Sequence, residues 1–188
     1  MSGTNERASF TSFQTSTKDD WSLIMRNIGT TQNMVADNTM HLLRQLANDH
    51  GGFPVSRLEH SLQTATRAQQ DGRDEEYVVC ALVHDIGDTL APFNHPYIAS
   101  TMVKPFATEA NHFMVAHHGI FQGYYFWHHI GMDRNARDAF RDSPYYDYTE
   151  EFCAKYDSPA FDPNFVSAPL EHFEPLVRRF FADRSVRT

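Results

Sequence analysis

Apolar positions recur at helical spacing along most of the chain, broken by short stretches of Gly, Pro, Asp and Ser. Leu43, Leu46 and Ala47 predict a helix over 39–49, which Gly51-Gly52 ends and Pro54 keeps from continuing. Ser56 suits the cap of a helix running to Gln70, with Leu58, Leu62 and Ala65 on one side, and Asp71-Gly72 stops it. Asp74 opens the next helix, which carries Tyr77 to Val83 and ends at Gly87. The run from Val78 to Val83 is short enough for a buried strand, but Glu75 and Glu76 suit the positive N-terminal end of a helix. Pro96 fits the first turn of a helix that ends near Lys104-Pro105, and Thr108-Glu109 opens one that Gly119 closes. Asp133, Thr149 and Ser167 are further candidate caps. Hairpin turns and alternating stretches are scarce, so the expected fold is all-α. One domain is expected over 19–188, after a flexible Ser/Thr-rich segment at 1–18.

Composition narrows the class. The chain has 188 residues and a formal net charge of −8, which disfavours a nucleic-acid binder needing a basic face. No apolar run approaches the roughly 20 residues that span a bilayer. Met1 to Arg7 lacks the apolar core of a secretory signal. Two cysteines, Cys80 within an apolar run and Cys153, do not suggest a disulfide scaffold, so a cytoplasmic location is expected. The 11 histidines do change the picture, because imidazole is the commonest metal ligand among side chains.

His84-Asp85 closes an apolar helix. Alone, such a pair is an ordinary helix end with a solvated carboxylate. It is accompanied, however, by His60 on the preceding helix, His95 before Pro96, His117-His118 on a later helix, and Asp157 after Lys155-Tyr156. At a helix end both members of the pair can reach one ion, and the two oxygens of Asp85 could bridge two. Imidazoles with carboxylates suit iron or manganese better than a thiolate-preferring metal. His117 competes with His118 for a ligand place, and Asp162 with Asp157. His112, His128, His129 and His172 read as surface, packing or supporting residues.

The order His60, His84-Asp85, Asp157 resembles the HD-domain superfamily, and the additional His95 and His118 resemble its dinuclear branch. Leu58 to Thr66, Met114 to His118, Phe152 to Asp157 and Pro169 to Leu176 resemble segments of the mixed-valent di-iron oxygenases. That family includes myo-inositol oxygenase and the hydroxy-phosphonate oxygenases. The resemblance covers roughly 40–182 and implies a single HD-domain helical bundle. It also implies a centre of two irons, one ferrous and one ferric, bound by His60, His84, Asp85, His95, His118 and Asp157. O2 would be the co-substrate, and cleavage of a C–C or C–P bond the reaction. A metal-dependent phosphohydrolase and a catalytically silent metal-binding domain are the competing readings.

The resemblance also points to the pocket. Myo-inositol enzymes carry Lys where this chain has Asp88, which disfavours inositol. In relatives acting on a primary aminophosphonate, a Tyr-Gly-Gly-Glu lid pairs its Glu with the substrate ammonium, and here the stretch is His50-Gly51-Gly52-Phe53. Gln122 stands where those relatives have Lys. An aromatic in place of an acid suits a cation without N–H donors, such as trimethylammonium. The expected substrate is therefore a small organophosphonate, a trimethylammonium hydroxyphosphonate converted to glycine betaine and phosphate. The expected contacts are His50, Phe53, Asp88 and Gln122, with Tyr124 or Trp127 completing an aromatic cage. Arg57, Lys104, Arg134, Arg137, Lys155 and Arg178 are all open as partners of the phosphonate.

Overall fold

A computed structural model describes residues 6–32, 34–48 and 51–182, and every regular element among them is helical. Eight α-helices follow in order. They are α1 (Lys18–Gln32), α2 (Val35–Gln45), α3 (Arg57–Gln70), α4 (Glu75–Val83), α5 (His95–Val103), α6 (Glu109–Phe126), α7 (Tyr146–Phe152) and α8 (Leu170–Ala182). Short 3-10 turns join several of them, and a π-helical turn, Cys153–Asp157, extends α7. None of these helices is long and apolar enough to cross a membrane.

Capping follows the sequence closely at three starts. The Glu59 amide donates to Ser56 Oγ at 3.1 Å, the Tyr77 amide to Asp74 Oδ1 at 2.8 Å, and the Asn111 amide to Thr108 Oγ1 at 3.4 Å. Elsewhere tertiary packing overrides local signals. The first predicted helix starts earlier, at Val35, and passes into a 3-10 turn at Leu46–Asn48. Gly119 does not end α6, which runs on to Phe126 with Pro96 of α5 packed beside Gly119. Thr149 lies inside α7 and returns its hydroxyl to the Tyr145 carbonyl at 2.9 Å. Ser167 caps nothing and instead reaches Glu59 at 3.4 Å. Helix α1 had no clear signal in the pattern, and Phe10 and Phe13 of the preceding segment cluster on its Trp21.

Helix α4 is the axis of the core, with Tyr77 to Val83 buried without interruption, so the candidate strand is a helix in the centre of the protein. It packs against α3, α6 and α8, while α5 lies along α6 and α2 along α8. Helix α3 buries polar residues as well as Leu62 and Ala65. Gln63 donates to the Asp162 carbonyl at 2.8 Å, and Thr66 accepts from the Ala168 amide at 3.0 Å. These bonds satisfy groups that would be costly to bury alone, and they tie the 158–169 loop down over α3.

Gly87 lies tightly against the backbone at the start of α5. A Cβ there would lie 2.8 Å from the His95 carbonyl oxygen and 2.9 Å from Ile98 Cβ. Gly87→Ala is expected to lower stability by about 1–3 kcal/mol through overpacking, read as a lower denaturation midpoint at unchanged slope.

Candidate metal centre

The packing brings together six side chains. His60 sits one turn inside α3, His84 and Asp85 follow the apolar α4, His95 opens α5, His118 is in mid-α6, and Asp157 ends the π-helical turn. The Ser158 amide donates to the Cys153 carbonyl at 2.8 Å, the wide spacing that defines that turn. Such insertions are common at functional sites because they re-aim a side chain. Five of the six are buried, and His95 is partly open.

All four imidazoles are oriented in the same way. Nδ1 lies 3.1 Å from the Ala160 carbonyl in His60, 2.7 Å from Ala81 in His84, 2.7 Å from Pro92 in His95 and 2.8 Å from Val115 in His118. A carbonyl only accepts, so each Nδ1 carries a proton, and each ring directs its Nε2 inward. Metal-binding histidines are held by their other nitrogen in this manner.

The inward atoms divide into two groups around Asp85. Oδ2 lies 3.4 Å from His60 Nε2 and 3.6 Å from His84 Nε2. Oδ1 lies 3.1 Å from both His95 Nε2 and His118 Nε2. Asp157 Oδ1 joins the first group, 3.2 Å from His60 Nε2 and 3.7 Å from His84 Nε2. The two sets of potential metal ligands are therefore spanned by one carboxylate.

Electrostatics favour a cation here. His60 and His84 Nε2 are 3.1 Å apart, and His95 and His118 Nε2 3.3 Å. Two lone pairs cannot bond to each other, so positive charge must lie between them, from a proton or a metal. Burial alone would lower the His84 pKa, but Asp85 and Asp157 outweigh it and raise it to about 9. Burial likewise works against the charge on Asp85 and Asp157, yet the surrounding imidazoles hold both below the usual carboxylate range. Asp157 Oδ2 is buried with no hydrogen-bond partner. The buried thiol of Cys153 donates to the His118 carbonyl at 3.5 Å, and the candidate ligand groups contain only His and Asp, an N/O donor set of the kind iron and manganese accept.

The remaining predicted residues are placed as follows. His117 faces away, its ring packed between Phe113 and Phe140, while Asp162 is exposed and accepts from the Asn164 amide at 2.9 Å. Asp88 is buried beside the centre, 2.7 Å from Arg57 Nε and 3.1 Å from His95 Nδ1. Burial and the nearby Asp85 charge raise its pKa. Gln122 donates to Asp157 Oδ1 at 2.9 Å, so it holds a carboxylate of the cluster. Phe53 stacks on Phe161, which stacks on His60, with centroid separations of 5.3 and 4.3 Å. The Arg57 guanidinium lies 4.2 Å from the Phe53 centroid. His50 lies outside the described residues.

Phe161 was not singled out from the sequence, since a lone aromatic in a loop carries no local signal. The proposed cage partners are engaged elsewhere. Tyr124 is stacked with Arg134 and Arg137, and Trp127 folds back on Gly123, where a Cβ would come within 2.3 Å of its ring.

No family model matches the chain. A 42-residue stretch is 52% identical to 1-hydroxy-2-(trimethylamino)ethylphosphonate dioxygenase (glycine-betaine-forming) of Leisingera caerulea. The match covers 22% of this chain and 21% of that protein. This chain is thus similar over a short stretch to a dioxygenase, and it carries buried His/Asp groups able to hold metal ions.

Removing the shared carboxylate should affect both sets of ligands. Asp85→Ala is expected to cut bound metal to one ion or none, and His118→Ala to lower it far more than His117→Ala, as read by elemental analysis. Two ions retained in Asp85→Ala would exclude the bridging role. A pH series gives a second check. The raised His84 pKa stabilises the metal-free fold fully below its unfolded value of about 6.5, and this contribution is lost as pH rises through about 9. Metal displaces that proton, so the melting temperature of metal-free protein should fall across this window while that of metal-loaded protein changes less.

Proposed function

We propose that this chain is an HD-domain di-iron oxygenase that cleaves the C–P bond of a 1-hydroxyphosphonate. The substrate is (1-hydroxy-2-(trimethylammonio)ethyl)phosphonate, and the products are glycine betaine and phosphate. Both atoms of one O2 are consumed in the balanced reaction. The observation that carries this reading is Asp85 spanning two sets of imidazole nitrogens. The short match to a dioxygenase of that name supports it.

His60, His84, Asp157 and Asp85 Oδ2 would hold one iron, and His95, His118 and Asp85 Oδ1 the other. When bound, the pair would supply a Lewis acid for the substrate hydroxyl and electrons for O2. The chain contributes orientation and selective access. Four backbone carbonyls fix the imidazole tautomers, and Gln122 fixes one oxygen of Asp157. Phe161 and Phe53 form an aromatic wall running from a ligand ring to the surface, where Phe53 is 42% exposed.

That wall selects the cation. A primary ammonium gains from a carboxylate through charge-assisted hydrogen bonds. A trimethylammonium has no donors and is better served by aromatic faces, at about 0.5–2 kcal/mol per contact. Arg57 shares the surface of Phe53, with its charge offset by Asp88. A Glu at position 53 would meet Arg57 first, so Phe53→Ala is the cleaner variant.

Phosphate release from the trimethylated substrate should require both iron and O2. An undiminished anaerobic rate would identify hydrolysis instead. In Phe53→Ala with intact iron content, kcat/KM for the trimethylated substrate should fall roughly 2- to 30-fold, the range that one cation–π contact supplies. It should fall less for the primary amine analogue. An unchanged ratio of the two would show that Phe53 does not read the cation.

A further inference from the structure

The segments that carry His60, His84 and Asp157 are tied together a second time, at the opposite end of α3, and the knot is built on one hydroxyl. Tyr156 precedes Asp157 in the π-helical turn and is only 2% exposed. Its ring packs edge-on against Tyr77 of α4, with centroids 5.7 Å apart. Its hydroxyl donates to Oδ2 of Asp71, the C-terminal cap of α3. The same hydroxyl accepts from Nε of Arg73, in the link between α3 and α4, at 2.9 Å. Arg73 also donates to Glu151 of α7, and Lys155 Nζ lies 2.7 Å from that carboxylate.

Adjacent residues of the turn therefore engage the two ends of α3. Asp157 Oδ1 lies 3.2 Å from His60 Nε2, while Tyr156 holds Asp71, eleven residues further along. Eleven residues span about 16 Å of helix. A turn fixed at two points that far apart can neither slide along α3 nor roll on it. A π-helical turn is a rare conformation, so its shape depends on such tertiary contacts. Among the described residues no hydrogen bond or ion pair joins this network to α5 or α6, which carry His95 and His118.

We propose that Tyr156 is a positioning residue for the metal centre. Through Asp71 and Arg73 it sets the reach of Asp157, and so the affinity of the His60/His84/Asp157 set, but not that of the His95/His118 set. The proposal rests on the two ligand sets and not on the substrate or the reaction. A purely structural role predicts something else. The Asp71 side chain is 52% exposed and that of Lys155 54%, and ion pairs so exposed contribute little to folding.

The test is Mn(II) binding to the full chain, read by competition with a chelator, because manganese suits an N/O donor set. Tyr156→Phe keeps the ring and deletes the hydroxyl. It is expected to release one of two ions at roughly tenfold lower chelator concentration, the lower end of what partners supporting a metal ligand contribute. The other ion should be held as before. Two backgrounds identify the set. Tyr156→Phe should weaken the ion left in His118→Ala and leave unchanged the ion left in His60→Ala. Asp71→Ala should repeat these results, whereas Asp71→Asn keeps an acceptor for the hydroxyl and should retain the parent affinity. If Tyr156→Phe fails to fold, the two Asp71 variants decide. Equal weakening of both ions would indicate general loosening of the fold and overturn the proposal, as would no weakening of either. Absence of Mn(II) from the unmutated chain would overturn the metal centre itself, and the proposal with it.

Discussion

Four imidazoles whose ring nitrogens face one another across 3.1–3.3 Å in a buried site can coexist only around positive charge. This constraint organises the centre of the molecule. Each ring is locked from behind by a backbone carbonyl, so none can turn its lone pair away without breaking that bond. The rings come from four different helical neighbourhoods, and each carbonyl is itself fixed by the local backbone. Relaxing the cluster would therefore mean moving helices, and the close-packed interior resists such motion.

Asp85 converts this congestion into a defined arrangement. Its two oxygens separate the imidazoles into pairs, and Asp157 adds a second carboxylate to one side only. The two sets thus differ in charge and in exposure, because His95 alone is partly open. The same helix that supplies His118 also supplies Gln122 to Asp157, so opposite sides of the centre are coupled through α6.

Charge outside the cluster follows a different rule at each place. Arg57 is balanced by Asp88 and lies over the ring of Phe53. Arg134 and Arg137 both pack on the ring of Tyr124, and Glu150 pairs with Arg137. Both places are arginine-on-aromatic contacts.

The sequence by itself determined the helical class, since periodic apolar positions and the caps Ser56, Asp74 and Thr108 act within one or two turns of chain. It also exposed His84-Asp85 as a candidate, because an unusual pair at the end of an apolar helix is a local signal. Local signals failed where a distant neighbour takes over. Gly119 resembles a stop, yet it is a contact point for Pro96. Only the tertiary structure separated His118 from His117, adjacent residues that α6 turns to opposite environments: one to Asp85, the other between Phe113 and Phe140. Likewise, only the π-helical turn and the loop after it carry Asp157 inward and lay Phe161 over His60. The direction of a side chain depends on the phase of its helix against every other helix, a property of the packed whole that no short stretch of sequence contains.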